Sequence, residues 1–165
     1  MSNTFLVVGL GIFGSYVSKT LCHGGASVLA VDREEGVVNT IRDRVSRAIC
    51  CDATHADAME AAGAFNVGTA IVALRQFDAT VLVTLALRQH RVPHILVRVD
   101  NAQQAKAIQG VGATEVLFPS RDTALRIANR LIHPAPVEGQ SVPSFAHLAH
   151  HEEERNTLSH VHDVF

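Results

Sequence analysis

The chain has no tryptophan, one tyrosine and three cysteines among 165 residues. Cys22, Cys50 and Cys51 are odd in number and scattered, with no C-x-x-C, so they do not form a disulfide framework. No apolar run approaches the ~18 residues that a membrane-spanning helix needs. Basic residues form no concentrated patch, so direct binding to nucleic acid is not expected. Met1 leads almost directly into the first apolar run, which leaves no room for a signal peptide and sets the expectation of a cytoplasmic protein. No Ser/His/Asp or Cys/His constellation stands out, so the expected catalytic set is empty, and no metal centre is expected.

What is present is a 47% apolar composition, which suits a globular domain and excludes wholesale disorder. The chain is organised around residues 5–32. The run Phe5-Leu6-Val7-Val8 stops at Gly9, and Gly9, Gly11 and Gly14 follow in the spacing G-x-G-x-x-G. A helix-like segment and a second apolar run then lead to Asp32. Gly9 permits a tight turn off the strand, Gly11 lets a pyrophosphate approach the backbone, and Gly14 lets the helix lie close to the strand. The helix start offers free N–H groups to phosphate, and Asp32 can accept hydrogen bonds from ribose hydroxyls. Asp32 follows Gly14 by 18 residues, near the ~20 of a dinucleotide fingerprint. A glycine-rich strand–helix turn without a ligand explains the same spacing less completely.

Downstream, short apolar runs alternate with helix-period segments. Strands are expected at 5–8, 27–31, 47–51, 70–74, 94–99 and 115–118. Helices are expected at about 11–23, 34–44, from 54 to near 63, 78–88, 102–109 and 121–132. Asp52 or Thr54 is expected to cap the third helix, and Asp100 and Asn101 the fifth. The fourth helix is apolar nearly all round, which implies burial on two sides, under neighbouring helices or in a subunit interface. The fold class is α/β: a doubly wound, six-stranded parallel sheet in the order 3-2-1-4-5-6 with helices on both faces. The glycine turn, Asp32, Asp52 and the Leu74-Arg75-Gln76 loop then share the carboxyl edge of the sheet at its switch point.

The domain ends at residue 134. Residues 135–165 are polar and carry five of the ten histidines together with Glu152, Glu153 and Glu154. His147 and His151 have a spacing that can hold a metal on a helix, yet a solvated, flexible tail explains the same composition. A dehydrogenase needs a second region with substrate contacts and an acid–base group. His23, His55, His90, His94 and His133 fall at helix ends, a capping turn and loop flanks, where surface or capping roles suffice. The residues therefore point to a nucleotide-binding domain without its own chemistry, a sensor.

The sequence resembles the RCK N-terminal domain (KTN or TrkA-N), and within it the Ktr/Trk-type regulatory subunits of potassium uptake. The resemblance rests on Val8-Gly9-Leu10-Gly11-x-Phe13-Gly14, the run ending in Asp32, and the Cys51-Asp52-Ala53-Thr54 turn. It also rests on Ala70-Ile71-Val72-Ala73, Ile95-Leu96-Val97-Arg98-Val99 and Gly112-Ala113-Thr114-Glu115-Val116-Leu117-Phe118-Pro119. It implies a Rossmann-like domain that binds an adenine nucleotide (NAD, NADH, ATP or ADP). Gly9, Leu10, Gly11, Ile12, Phe13 and Gly14 would surround the phosphates, Asp32 would hold the ribose with Arg33 beside it, and Asp52, Ala53 and Thr54 would border the adenine. Leu74 and Arg75 complete the expected site. The resemblance further implies a homo-oligomer, dimers assembling into an octameric ring, at the inner face of the membrane beneath a potassium-translocating subunit.

Some relatives carry Arg where Ile12 stands and an acid where Ser120 stands; both differences leave ATP, ADP and NAD undivided. Residues 135–165 are also too few for the C-terminal ligand-binding domain that such subunits often add. The alternatives are a small NAD(H)-linked redox enzyme or redox sensor using Cys50 or Cys51, and a structural partner that has lost its ligand.

Overall fold

The computed structural model describes residues 4–133. The tail and its histidines lie outside the described residues. Six strands, β1 (Thr4–Val8), β2 (Ser27–Asp32), β3 (Arg47–Cys50), β4 (Thr69–Val72), β5 (His94–Arg98) and β6 (Glu115–Leu117), form one parallel sheet in the order β3-β2-β1-β4-β5-β6. This is the expected topology. The connecting helices are α1 (Ile12–His23), α2 (Glu35–Ile41), α3 (Ala56–Ala61), α4 (Phe77–Gln89) and α5 (Ala102–Val111), and α6 (Pro119–Ile132) follows β6. The described residues up to Ile127 make up one compact unit; of the second, from Ala128 on, the described part is the end of α6 and His133.

Alternation along the strands sends side chains to two separate cores. Val7, Val28, Ala30 and Ile71 pack with Val38 and Ile41 of α2 and with Phe13, Val17 and Leu21 of α1. On the opposite face Leu6, Val8, Leu29, Val31, Val72, Ile95 and Val97 pack with Met59 of α3, Val83 and Leu87 of α4 and Ile108 of α5. Helices therefore cover both faces. Hydroxyls finish two strand pairings: Ser46 Oγ accepts the Val28 N–H at 3.0 Å, and Thr114 Oγ1 accepts the Ile95 N–H at 2.9 Å.

Element ends agree with the sequence expectation or differ from it by up to three residues. The second helix divides: α2 stops at Ile41 and a 3-10 turn, Arg42–Arg44, follows. The third begins later than expected, and neither Asp52 nor Thr54 caps it: its N-cap is His55, without a side-chain bond. The fifth does use Asn101, whose side chain accepts the Gln104 N–H at 2.9 Å. Within this chain the fourth is not covered on two sides by neighbouring helices, which leaves the subunit-interface alternative. Leu82 and Leu85 of α4 are 52% and 41% exposed, whereas Thr80 and Thr84 are buried. The threonines can face the core because each hydroxyl donates to a carbonyl one turn back, Thr80 Oγ1 to Gln76 O at 2.9 Å and Thr84 Oγ1 to Thr80 O at 2.7 Å. The apolar stripe expected on the sixth helix exists, but α6 buries none of its residues.

Three helices end alike. After α1, α3 and α4 the chain takes a positive φ at Gly25, Gly63 and Arg91, and paired backbone bonds close each end. After α4 these run from Val92 N to Leu87 O and from Arg91 N to Arg88 O, both at 3.0 Å. The pattern is a Schellman motif, in which glycine has no Cβ to strain. Arg91 holds φ 59° with an exposed side chain. Arg91→Gly is expected to stabilise the fold by about 0.5–1 kcal/mol, measured as a higher chemical-denaturation midpoint with an unchanged slope.

Candidate functional site

The site is built where β1 turns into α1. Gly9 has φ +91°, and a Cβ on it would lie 2.8 Å from Ala73 O. A Cβ on Gly14 would collide with Gly9 O. These two glycines let the turn and helix press onto β1 and the end of β4. Gly11 is different: a Cβ there would meet nothing within 4 Å, because the residue faces open space. Gly11 is also the N-cap of α1 and supplies no side-chain cap. The first amides of a helix lack intrahelical acceptors, so the start of α1 presents its N–H groups and positive dipole end to the space above Gly11.

Asp32, at the end of β2, ties this turn to its neighbour. Its Oδ2 accepts the Leu10 N–H at 2.7 Å and its Oδ1 accepts the Glu34 N–H at 3.0 Å. Each oxygen keeps acceptor capacity for a further hydroxyl. Ser15 Oγ donates to Leu10 O at 2.6 Å, so both polar groups of the Leu10 backbone are held. Across the switch point, Arg33 Nη1 donates to Gln76 Oε1 at 3.3 Å.

These groups line a cleft of about 910 Å³, within the ~300–1,000 Å³ usual for ligand sites. From the glycine turn the lining includes Gly9, Gly11, Ile12 and Phe13. Asp32 and Arg33 follow from β2, Asp52, Ala53 and Thr54 from the turn after β3, and Leu74 and Arg75 from the end of β4. Two sequence-expected residues lie off the wall. The Leu10 side chain is buried in the core beneath the turn, and Gly14 is spent on the close approach to Gly9. Tyr16, Gln76, Arg98, Ser120, Thr123, Ala124 and Ile127 also line the cleft. Of these, only Gln76 lay in a loop that the sequence placed at this edge. Arg98, at the end of β5, and Ser120 entered the sequence reading only through the family resemblance, and no motif marks Thr123, Ala124 or Ile127; the three-dimensional winding carries them all to the cleft.

The turn after β3 is held by its own side chains. Asp52 Oδ1 accepts from Thr54 N at 2.9 Å and from Thr54 Oγ1 at 2.7 Å. Those hydrogen bonds hold the Asp52 carboxyl below the usual carboxylate range, helped less by His55 and Arg33. Burial, and then the charges of Cys50 and Asp52, push the Cys51 thiol up. A protonated thiol is a poor nucleophile, which works against the alternative in which Cys51 carries redox chemistry. The described residues contain no group of three or more potential metal ligands.

A doubly wound parallel sheet with a glycine-rich turn at its switch point defines a Rossmann-type domain. The TrkA-N domain matches residues 5–119, and the chain belongs to that family. Ktr system potassium uptake protein C of Bacillus subtilis (strain 168) is 34% identical over 133 residues, 80% of this chain and 60% of that protein. Ktr system potassium uptake protein A of Vibrio alginolyticus is 31% identical over 135 residues, 81% of this chain and 61% of that protein. The chain therefore spans less than two thirds of the length of these relatives. In fold it is similar to the TrkA-N domain of inner membrane protein ybaL from Escherichia coli (TM-score 0.72, 20% identity, 79% of this chain and 98% of that one). It is also similar to the GsuK channel bound to NAD (TM-score 0.69, 23% identity, 79% and 23%) and to GsuK bound to ADP (0.68, 22%, 81% and 35%).

The lowered Asp52 value has a definite sign. The carboxylate's contribution to the turn is complete above the ordinary carboxylate pKa and is lost as pH falls through the lowered one. Thr54→Val removes the largest cause, so the Asp52 pKa is expected to rise toward the ordinary value, read by NMR titration of the carboxyl carbon. An unmoved titration would show that Thr54 is not the cause.

Proposed function

We propose that the chain is the nucleotide-sensing part of a cytoplasmic regulatory subunit that gates a membrane potassium transporter or channel, and that it performs no catalysis. The observation that carries this reading is the cleft at the switch point, with Gly11 open beneath the free amides of α1 and Asp32 beside them. In this reading the ligand is an adenine nucleotide. Its phosphates lie over Gly11 and the Ile12 and Phe13 amides, and Asp32 accepts the ribose hydroxyls. The Asp52–Thr54 turn borders the base, and Arg75 adds positive charge near the phosphates. The Ktr potassium uptake proteins among the relatives and the GsuK structures bound to ADP and to NAD support the reading.

A ligand gates only by binding two states of an assembly unequally. An assembly is supported by the apolar side chains left open on the domain: Leu82 and Leu85 on α4, and Leu125 on α6, are each more than two-fifths exposed. Among the described residues no helix is long and apolar enough to cross a membrane; the pore is proposed to lie in a membrane potassium-translocating subunit, as the names of the Ktr relatives suggest. Homodimers, and a ring of eight built from them, are the proposed form at the membrane's inner face.

Gly11 and Gly14 separate folding from binding. Gly11→Ala is expected to change stability by less than about 1 kcal/mol while weakening adenine-nucleotide binding about a hundredfold, ~2.7 kcal/mol, by calorimetry. Gly14→Ala is expected to destabilise the fold by about 1–3 kcal/mol, seen in thermal unfolding. Full nucleotide affinity in Gly11→Ala would refute the site. Light scattering coupled to chromatography should show a multimer, and a monomer with and without nucleotide would refute the assembly.

A further inference from the structure

At the opposite end of the sheet from the cleft, where β1, β2 and β3 begin, a separate pocket of about 330 Å³ opens to the surface. Its buried wall is apolar: Val28, Leu29 and Val67 line it and are each less than a tenth exposed. Among its polar side chains, Ser27, Arg47 and Asn66 are exposed. Among the described residues no aspartate or glutamate lines it.

Arg47 opens β3, the strand at one edge of the sheet. Its Nη1 donates to Ala62 O, the C-cap carbonyl of α3, at 3.1 Å. That bond holds the guanidinium at the pocket and uses one of its five N–H groups. The other four have no acceptor among the described residues, and Arg47 takes part in none of the ion pairs among them. The Val28 amide is already bonded to Ser46 Oγ at 3.0 Å. The side chains that offer donors to a ligand therefore include the arginine fork, the Ser27 hydroxyl and the Asn66 carboxamide.

A planar guanidinium with free N–H groups matches a carboxylate in two parallel bonds. One positive charge with no acid in the lining balances one negative charge. A phosphate dianion would keep an unbalanced charge against valine and leucine, at a desolvation cost. A short aliphatic tail would instead remove apolar surface from water there. The volume lies at the small end of the ~300–1,000 Å³ usual for ligand sites, which suits an ion of a few carbon atoms.

We propose that this pocket is a second ligand site, for a small aliphatic carboxylate. Arg47 holds the head group, and Val28, Leu29 and Val67 cover the tail. The pocket shares no residue with the nucleotide cleft, so the inference does not rest on the nucleotide reading.

Titration of the full chain with sodium butyrate at constant ionic strength, followed through the amide NMR signals, tests this. Butyrate is expected to bind with a dissociation constant of about 1 mM, and acetate about tenfold more weakly, ~1.4 kcal/mol, because two methylene groups are lost. Butyramide and inorganic phosphate are expected to leave the pocket's signals unmoved at the same concentrations. The signals that butyrate moves should be those around Ser27, Arg47 and Asn66, and not those of the glycine turn. Arg47→Gln is expected to weaken butyrate binding about tenfold or more. That variant also loses the bond to Ala62, so Asn66→Asp is a second test. It brings an acid into the lining from an exposed position, and should cost similar affinity with an unchanged unfolding temperature. No saturable binding of butyrate at this pocket, equal binding of butyramide or phosphate, or full butyrate affinity in either folded variant would overturn the inference.

Discussion

Where α1 leaves β1, the backbone at Gly14 lies against the carbonyl of Gly9, and no side chain fits between them. Gly9 in turn lies against the Ala73 carbonyl at the end of β4. These two contacts set how deep the helix sits on the sheet. They also place β4 beside β1 with its loop level with the glycine turn, reinforced by the Ala73 N–H donating to Val8 O at 2.7 Å. The cleft is the space left above that contact, because chain winding reverses there and helices diverge from it. A methyl group at either glycine would force apart the same elements that form the site's floor.

Asp32 adds the electrostatic counterpart. One carboxylate holds the Leu10 amide of the glycine turn and the Glu34 amide at the entry to α2. Two loops from different βαβ units are thereby fixed to each other before any ligand arrives. In the proposed function, the group that reads the ribose is the group that ties the turn in place. Ligand binding and loop order would then be linked through one side chain, which is what a sensing domain requires.

Much of this was legible in the chain itself. The run Phe5–Val8, the glycine spacing and the acid at Asp32 place a strand, a turn, a helix and a switch-point edge without any tertiary information. Of the two expectations for α4, cover on both sides by helices of the same chain does not hold, and the reason is specific. Its apolar residues are too many to define one stripe, and the two threonines that face the core look polar until their hydroxyls are seen bonded to carbonyls one turn back. Leu10 is absent from the cleft wall because its amide and its side chain serve different places, the Asp32 carboxylate and the core. No spacing rule separates those two roles.

The order of the strands followed from the sequence because parallel crossovers have one hand, and the alternation of strand and helix leaves few arrangements. The glycine turn followed because its backbone demands are local. What only the tertiary structure decided is which distant side chains meet at the turn. Arg98, Gln76, Tyr16 and Ile127 line one cleft with Asp32, although they come from four different elements or loops. It also decided which apolar residues stay open to water: Ile12, Leu82 and Leu125 remain exposed while Thr84 is buried. Burial is a property of what surrounds a residue, and a pattern along one element does not contain its neighbours.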